Sequence, residues 1–73
     1  MSTVLPMARR VEVSQLVGAA EIAARLGVAL PQTIHDWRRR HEDFPSPVAV
    51  LTMGMIWNWP DVEEWALRTG RLK

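Results

Sequence analysis

The sequence predicts a single small α+β domain. Two short helical patterns meet at Gly27, two short apolar runs flank Gly54, and a further helical pattern occupies the C-terminal part of the chain. A chain of 73 residues hides only about 60% of its unfolded surface, so its core is small. Because there is no cysteine for a disulfide or a thiolate metal site, we expect four tryptophans and one phenylalanine to supply much of the burial.

The charged residues are clustered, although the formal net charge is only +1. Arginines occupy positions 9–10 and 38–40, further basic residues lie near the C-terminus, and the acidic residues gather at 42–43 and 61–64. For attraction to a polyanion this distribution matters more than the sum. No apolar run approaches the roughly 20 residues of a membrane span, and the N-terminal residues lack a signal-peptide pattern. We therefore expect a cytoplasmic protein.

The N-terminal residues are predicted to be flexible, because they contain Pro6 and lack helical periodicity. Residues 11–13 alternate as in a brief strand. Arg9 and Arg10 are interpreted either as solvated charges or as an arm that contacts DNA phosphates or a minor groove. The predicted organisation is a flexible tail, one folded domain and a basic C-terminal tail: 1–14, 15–70 and 71–73.

The first helix is predicted at about residues 19–26. Its apolar residues recur at helical spacing and form one stripe: Ala19, Ile22, Ala23 and Leu26. Gly18 occupies the N-cap position with Glu21 three residues later, as in a capping box that lacks a hydroxyl. Gly27 ends the helix, since glycine adopts the left-handed conformation without steric cost.

A second helix is predicted at about residues 31–41, because Pro31 suits the first helical turn. At about 100° per residue, Ile34 and Trp37 share the inner side, with Leu30 and His41 near it. The polar side chains on the opposite side are Gln32, His35, Asp36 and Arg39. Thr33 and Arg40 flank them. Two helices joined by a tight glycine turn predict a helix-turn-helix, whose outer face is available for recognition.

A β-hairpin is predicted after the second helix. Residues 44–47 contain two prolines, which push their predecessors into extended geometry. Short strands are expected at 48–51 and 55–57, joined by a tight turn at Thr52-Met53-Gly54. A hairpin in this position is the wing of a winged helix-turn-helix.

The last helix is predicted at about residues 60–69, because Pro60 suits an early helical position and Gly70 stops the helix. Its inner stripe consists of Val62, Trp65, Ala66 and Thr69. One tryptophan from each of the second helix, the hairpin and the last helix is expected in the core: Trp37, Trp57 and Trp65.

Trp59 and Leu67 lie outside the core phase of their segment. Scattered exposed apolar residues are common in monomeric proteins. Together with Met53 and Met55, however, they are also candidates for an apolar contact with a neighbouring protomer or a partner protein.

The arginine block Arg38-Arg39-Arg40 is interpreted as a set of phosphate contacts, because basic side chains that neutralise phosphates release counterions. The alternative is an ordinary solvated helix end, where cations suit the negative end of the helix dipole.

Gln32, His35 and Arg39 are the candidate base readers, since arginine pairs bidentately with guanine and glutamine with adenine in the major groove. The N-terminal part of a recognition helix usually contacts base edges, which favours Gln32 and Thr33. Asp36 would face phosphates in this arrangement. We therefore expect it to pair with Arg39 or the arginine that follows, at helical spacing, and to orient it.

An enzyme is the least expected class, and no metal or cofactor is expected. His35 and His41 lie six residues apart on different sides of the helix, and no cysteine or carboxylate completes a metal site. The hydroxyl residues Ser14, Ser46 and Thr52 have no histidine partner at a suggestive spacing. The acidic residues at 61–64 complement the positive start of a helix.

A series of segments resembles one protein family. These segments are Leu16–Gly18, Glu21–Ala23, Leu26–Val28, Asp43–Pro47, Trp57 and Asp61–Trp65. The first three resemble the opening of small MerR-like helix-turn-helix proteins, and the last three resemble the wing and last helix of their phage excisionase and AlpA-type branch. The resemblance covers about residues 16–70. It implies a winged helix-turn-helix that binds double-stranded DNA, either as a recombination directionality factor beside an integrase or as a small prophage transcription regulator.

The chain departs from the family pattern in two places. Ala29 stands where the family usually has a serine cap, and Leu30–Pro31 adds a residue, so the register of the recognition face is open. The tip of the wing often has Arg or Lys in such proteins. Here Thr52 and Met53 occupy it, leaving a hydroxyl and backbone amides, including that of Gly54, to meet a phosphate.

We therefore expect an excisionase that binds attachment-site DNA and biases an integrase toward excision. Helix two would enter the major groove, and several copies or a dimer would bind together, because one small module buries limited surface on DNA. The first alternative is a transcription regulator of prophage or mobile-element genes. An alternative of another class is an antitoxin or integrase-binding adaptor that does not bind DNA, which the near-neutral charge and the uncharged wing favour.

Overall fold

The protein is a small α+β domain of three α-helices and a three-stranded antiparallel sheet, within residues 11–72, which the computed structural model describes. The elements are β1 (Leu16–Val17), α1 (Ala19–Leu26), α2 (Gln32–Arg40), β2 (Ala49–Leu51), β3 (Gly54–Asn58) and α3 (Trp59–Arg68), with a 3₁₀ turn at Val13–Gln15. None of these helices has the length and apolarity to cross a bilayer. The predicted arm residues Arg9 and Arg10, and Lys73, lie outside the described range.

The central strand of the sheet is β3, in the order β1-β3-β2. The predicted hairpin is confirmed: Leu51 pairs with Gly54 across the turn, and Gly54 has a φ of 140°, which a side chain would disfavour. The predicted strand at 11–13 is wrong, because Val13 begins the 3₁₀ turn. The strand lies at Leu16–Val17 instead, where Val17 pairs with Trp57, and this third strand was not predicted.

Helix α1 has the predicted bounds and the predicted end signals. The Gly18 N–H donates to Glu21 Oε1 at 2.9 Å, which satisfies one of the free donors at the helix start. At the other end Gly27 has a φ of 70°, and the Val28 N–H returns to the Ala23 carbonyl at 2.8 Å. Glycine is required here because the left-handed conformation places a Cβ against the following carbonyl.

Helix α2 begins at Gln32, one residue after the predicted start, and ends at Arg40, before His41. No side chain caps it; instead the Leu30 carbonyl accepts from the Thr33 N–H at 3.1 Å, as in a 3₁₀ turn. The expectation that Leu30 lies near the inner side is wrong, since 64% of its surface is exposed. The reason is that helical periodicity does not extend to a residue before the first helical turn.

The core contains an aromatic cluster around Phe44. This ring meets Trp65 edge to face, with centroids 4.8 Å apart at 78°, and Trp57 at 6.0 Å and 80°. Both tryptophans are buried, as predicted, and the Trp57 indole N–H donates to the Pro45 carbonyl at 3.0 Å. The segment after α2 is therefore anchored to the core by Phe44 and Pro45, and aromatic pairs add stability beyond area burial.

The side chain of Arg71 packs against the domain, although the sequence placed it in a C-terminal tail. Its guanidinium carbon lies 4.9 Å from the Trp37 ring and 4.5 Å from the Trp65 ring, and one of its nitrogens lies 3.3 Å from His41 Nε2. The Trp37 and Trp65 rings are 5.5 Å apart. Arginine stacked on aromatic faces gains cation–π attraction while its stem covers apolar surface, so this cluster joins α2 to α3.

The four residues proposed for an apolar contact differ in how exposed they are. Trp59 is half-buried against the core, and the Arg25 guanidinium lies 4.9 Å from its ring. Met55 also packs against the core. Leu67 is 52% exposed and Met53 is 90% exposed. Only these last two therefore offer open apolar surface.

We predict that Phe44→Ala lowers the free energy of unfolding by about 3–5 kcal/mol, because it removes a buried ring and leaves a cavity between two tryptophans. Urea denaturation followed by far-UV circular dichroism measures the change. The matched control is Leu67→Ala on the exposed side of α3, expected to change stability by about 0.5 kcal/mol or less. Equal losses for the two variants would contradict the role given to Phe44.

Candidate nucleic-acid interface

The solvent-facing side of α2 presents three of the predicted polar residues: Gln32, Asp36 and Arg39. The Arg39 side chain is 66% exposed and the Asp36 side chain is 37% exposed, while Gln32 is also open to solvent. Ile34 is fully buried on the opposite side. The separation of an apolar inner side from a polar outer side follows from 3.6 residues per turn.

A hydrogen-bonded network joins these three residues. Gln32 Nε2 donates to Asp36 Oδ1 at 3.3 Å, and an Arg39 guanidinium nitrogen donates to the same oxygen. Of the two arginines expected as partners of Asp36, the structure therefore pairs it with Arg39. The hydrogen bond from Gln32, followed by the hydrogen bond and charge of Arg39, holds the pKa of Asp36 below its ordinary value.

The arginines at the end of α2 differ from the other described arginines in their partners. Arg38 and Arg40 are exposed, and no ion pair or ring stack within residues 11–72 engages either of them. The other described arginines each meet a carboxylate or an aromatic ring: Arg25, Arg39, Arg68 and Arg71. The described arginines that have neither an ion pair nor a ring stack thus lie together at one helix end.

His35 does not share the open side of α2 with Gln32 and Arg39. It is half-buried, and its ring centroid lies 6.0 Å from that of Trp57. It lines a cleft of about 360 Å³ together with the start of α1 and the β2–β3 turn. Thr33, on the other flank of the helix, is also half-buried. His35 therefore lies between helix and hairpin rather than at the centre of the polar face.

The tip of the hairpin is exposed and uncharged. Thr52, Met53 and Gly54 are all open to solvent, and Met53 and Gly54 line the cleft beside His35. No residue from 44 to 60 bears a charge. The tip can therefore offer a hydroxyl, backbone groups and apolar surface, but not a cation.

Within the part of the chain that the structure describes, no three His, Asp or Glu side chains are grouped as a metal site. His35 lies against Trp57, whereas His41 lies against Trp65. Comparison with family models, with curated proteins and with solved structures gives no match for this chain.

Sequence reasoning missed two features of α2, one on each side of the helix. The bond between Gln32 and Asp36 has the four-residue spacing of a helical side-chain pair, so the signal was present. The position of Arg71 over Trp37 had no sequence signal, because it depends on the reversal of the chain after α3.

We predict that Gln32→Ala raises the pKa of Asp36 toward its ordinary value, because Gln32 supplies the largest of the stabilising effects on the carboxylate. The carboxyl ¹³C signal of Asp36, followed by NMR through an acid titration, measures this pKa. Since the pKa in the folded state is depressed, the contribution of Asp36 to stability is present above its unfolded-state pKa and is lost as the pH falls through the folded-state pKa. Gln15→Ala is the control and should leave the titration unchanged; an unchanged titration in Gln32→Ala would contradict the assignment.

Proposed function

We propose that this chain binds double-stranded DNA as a small winged helix-turn-helix protein. Helix α2 enters the major groove, and the β2–β3 hairpin lies along the adjacent backbone. The observation that supports this most directly is the exposed face of α2, where hydrogen bonds link Gln32, Asp36 and Arg39. Arg38 and Arg40, which have no ion pair or ring stack within residues 11–72, lie at the end of the same helix.

The chemistry of this face suits duplex DNA. Arg39 and Gln32 have the side chains that pair bidentately with guanine and adenine in the major groove. Arg38 and Arg40 suit phosphate oxygens, which receive half or more of the hydrogen bonds in protein–DNA complexes. His35 and the hairpin tip at Thr52–Gly54 then lie at the side of the groove, where a backbone contact forms.

We further propose that the protein is an excisionase, which binds attachment-site DNA and biases an integrase toward excision. The support is the family resemblance of residues 16–70, together with the size of the module: one copy covers little DNA, so several copies act together. Control of transcription from prophage or mobile-element genes is the alternative within DNA binding, and it uses the same surface.

A protein contact through the hairpin is the second candidate function. The exposed apolar residues Val50, Leu51 and Met53 favour it, because no charged residue interrupts them. An antitoxin or integrase-binding adaptor would use this surface and would leave the face of α2 without a partner.

We predict that Arg38→Ala and Arg40→Ala each weaken duplex binding about equally across sequences, because each removes a phosphate contact. Each substitution should reduce the slope of log K against log salt by about 1. Gel shifts with attachment-site, promoter and random duplexes at several salt concentrations measure both effects. Arg68→Ala removes the same charge from an arginine that pairs with Asp43 and serves as the matched control. Equal effects of all three substitutions would contradict the placement of α2 at the interface. Absence of duplex binding by the wild-type protein would favour the protein contact through the hairpin.

A recombination assay separates excision from transcription control. In cells that contain an integrase and its attachment sites, deletion of the protein is expected to reduce excision while integration continues. Unchanged excision, combined with altered expression of a reporter from the neighbouring promoter, would replace the excisionase proposal by the regulator.

A further inference from the structure

Two of the candidate base readers share one hydrogen-bond acceptor. Gln32 and Arg39 are seven residues apart, which is about two helical turns and about 10.5 Å along the axis of α2. Both nevertheless donate to Asp36 Oδ1, so their polar ends are drawn together at the middle of the face. The carboxylate that joins them is partly open to solvent.

We propose that Asp36 is a positioning residue that holds Gln32 and Arg39 as one preorganised reading unit for two purines on neighbouring base steps. This inference rests on the proposed function. The preferred site has a guanine for Arg39 and an adenine for Gln32 within one or two steps, since consecutive bases are only about 3.4 Å apart.

Gln32 and Arg39 have enough hydrogen-bond donors to contact Asp36 and a base at the same time. The Gln32 amide has two N–H donors and one acceptor oxygen, so one N–H stays on Asp36 while the other N–H and the oxygen pair with adenine. The Arg39 guanidinium has five N–H donors, so it keeps its bond to Asp36 and still presents two donors to guanine. Asp36 thus remains bound to both readers while they are on the DNA.

The negative charge of Asp36 also affects binding to DNA that lacks the preferred bases. A carboxylate within the face that meets DNA repels phosphates wherever the bases do not match, because no base contact then compensates for the repulsion. Asp36 therefore lowers affinity for arbitrary duplexes while it raises affinity for the selected one. A residue that only stabilises α2 would change both affinities in the same direction.

The test is Asp36→Asn, measured on the full chain with the duplex selected from a random pool and with a random duplex of equal length. The selected-site affinity is expected to fall and the random-duplex affinity to rise, so that their ratio drops by about 10-fold, within the range of one bidentate base contact. The wild-type selection is expected to return an adenine and a guanine within two steps. Glu42→Gln removes an exposed carboxylate just beyond α2 and is the matched control; it should leave the ratio unchanged.

A double-mutant cycle gives a second measurement that does not depend on the Asp36→Asn variant. Gln32→Ala and Arg39→Ala are expected to be non-additive in selected-site affinity, because each substitution breaks the same unit. Additive effects, an unchanged ratio in Asp36→Asn, or equal losses on both duplexes would each overturn the inference while the proposed DNA binding stands. Absence of duplex binding by the wild type would overturn the proposed function itself.

Discussion

The inner contacts of α2 determine the geometry of everything on its outer side. Ile34 is fully buried, and Trp37 lies 5.5 Å from Trp65 with Arg71 across both rings. A helix is a rigid element with about 100° between successive side chains, so two fixed inner positions define the direction of all the others. The exposure of Gln32 is therefore a consequence of aromatic packing on the far side of the same helix, and a change in that packing would rotate the whole polar face.

The sequence was sufficient for the parts of the fold that have local causes. The bounds of α1 follow from the hydrogen bond that the Gly18 N–H donates to Glu21 and from the left-handed conformation of Gly27. Both act within one helical turn. The hairpin similarly follows from a glycine between two short apolar runs. Strand β1 could not be predicted in this way: it has only two residues, too few for periodicity, and its existence depends on pairing with Trp57 far along the chain. Its position is therefore a property of the assembled sheet.

The candidate site likewise contains some contacts that have local causes and others that depend on the assembled fold. The pairing of Asp36 with Arg39 was predictable, because residues three apart on a helix are neighbours whatever surrounds them. The position of His35 was not predictable. It lies at the edge of the polar arc, and whether that edge meets water or protein depends on where the hairpin lies; here Trp57 lies 6.0 Å from its ring. Arg71 is a further case, since its stacking requires the chain to turn back after α3.

The allocation of charge limits how the proposed DNA binding could work. With eight acidic residues and a net charge of +1, the chain has little long-range attraction for a polyanion. Arg25, Arg68 and Arg71 are engaged by aromatic rings or a carboxylate, so within residues 11–72 Arg38 and Arg40 remain as the arginines without an ion pair or a ring stack. Two or three phosphate contacts give a shallow salt dependence and weak non-specific affinity. Under the proposed function, tight binding must therefore come from base contacts and from copies that bind side by side. To the phosphate contacts the uncharged hairpin adds only a hydroxyl and backbone amides, and no cation.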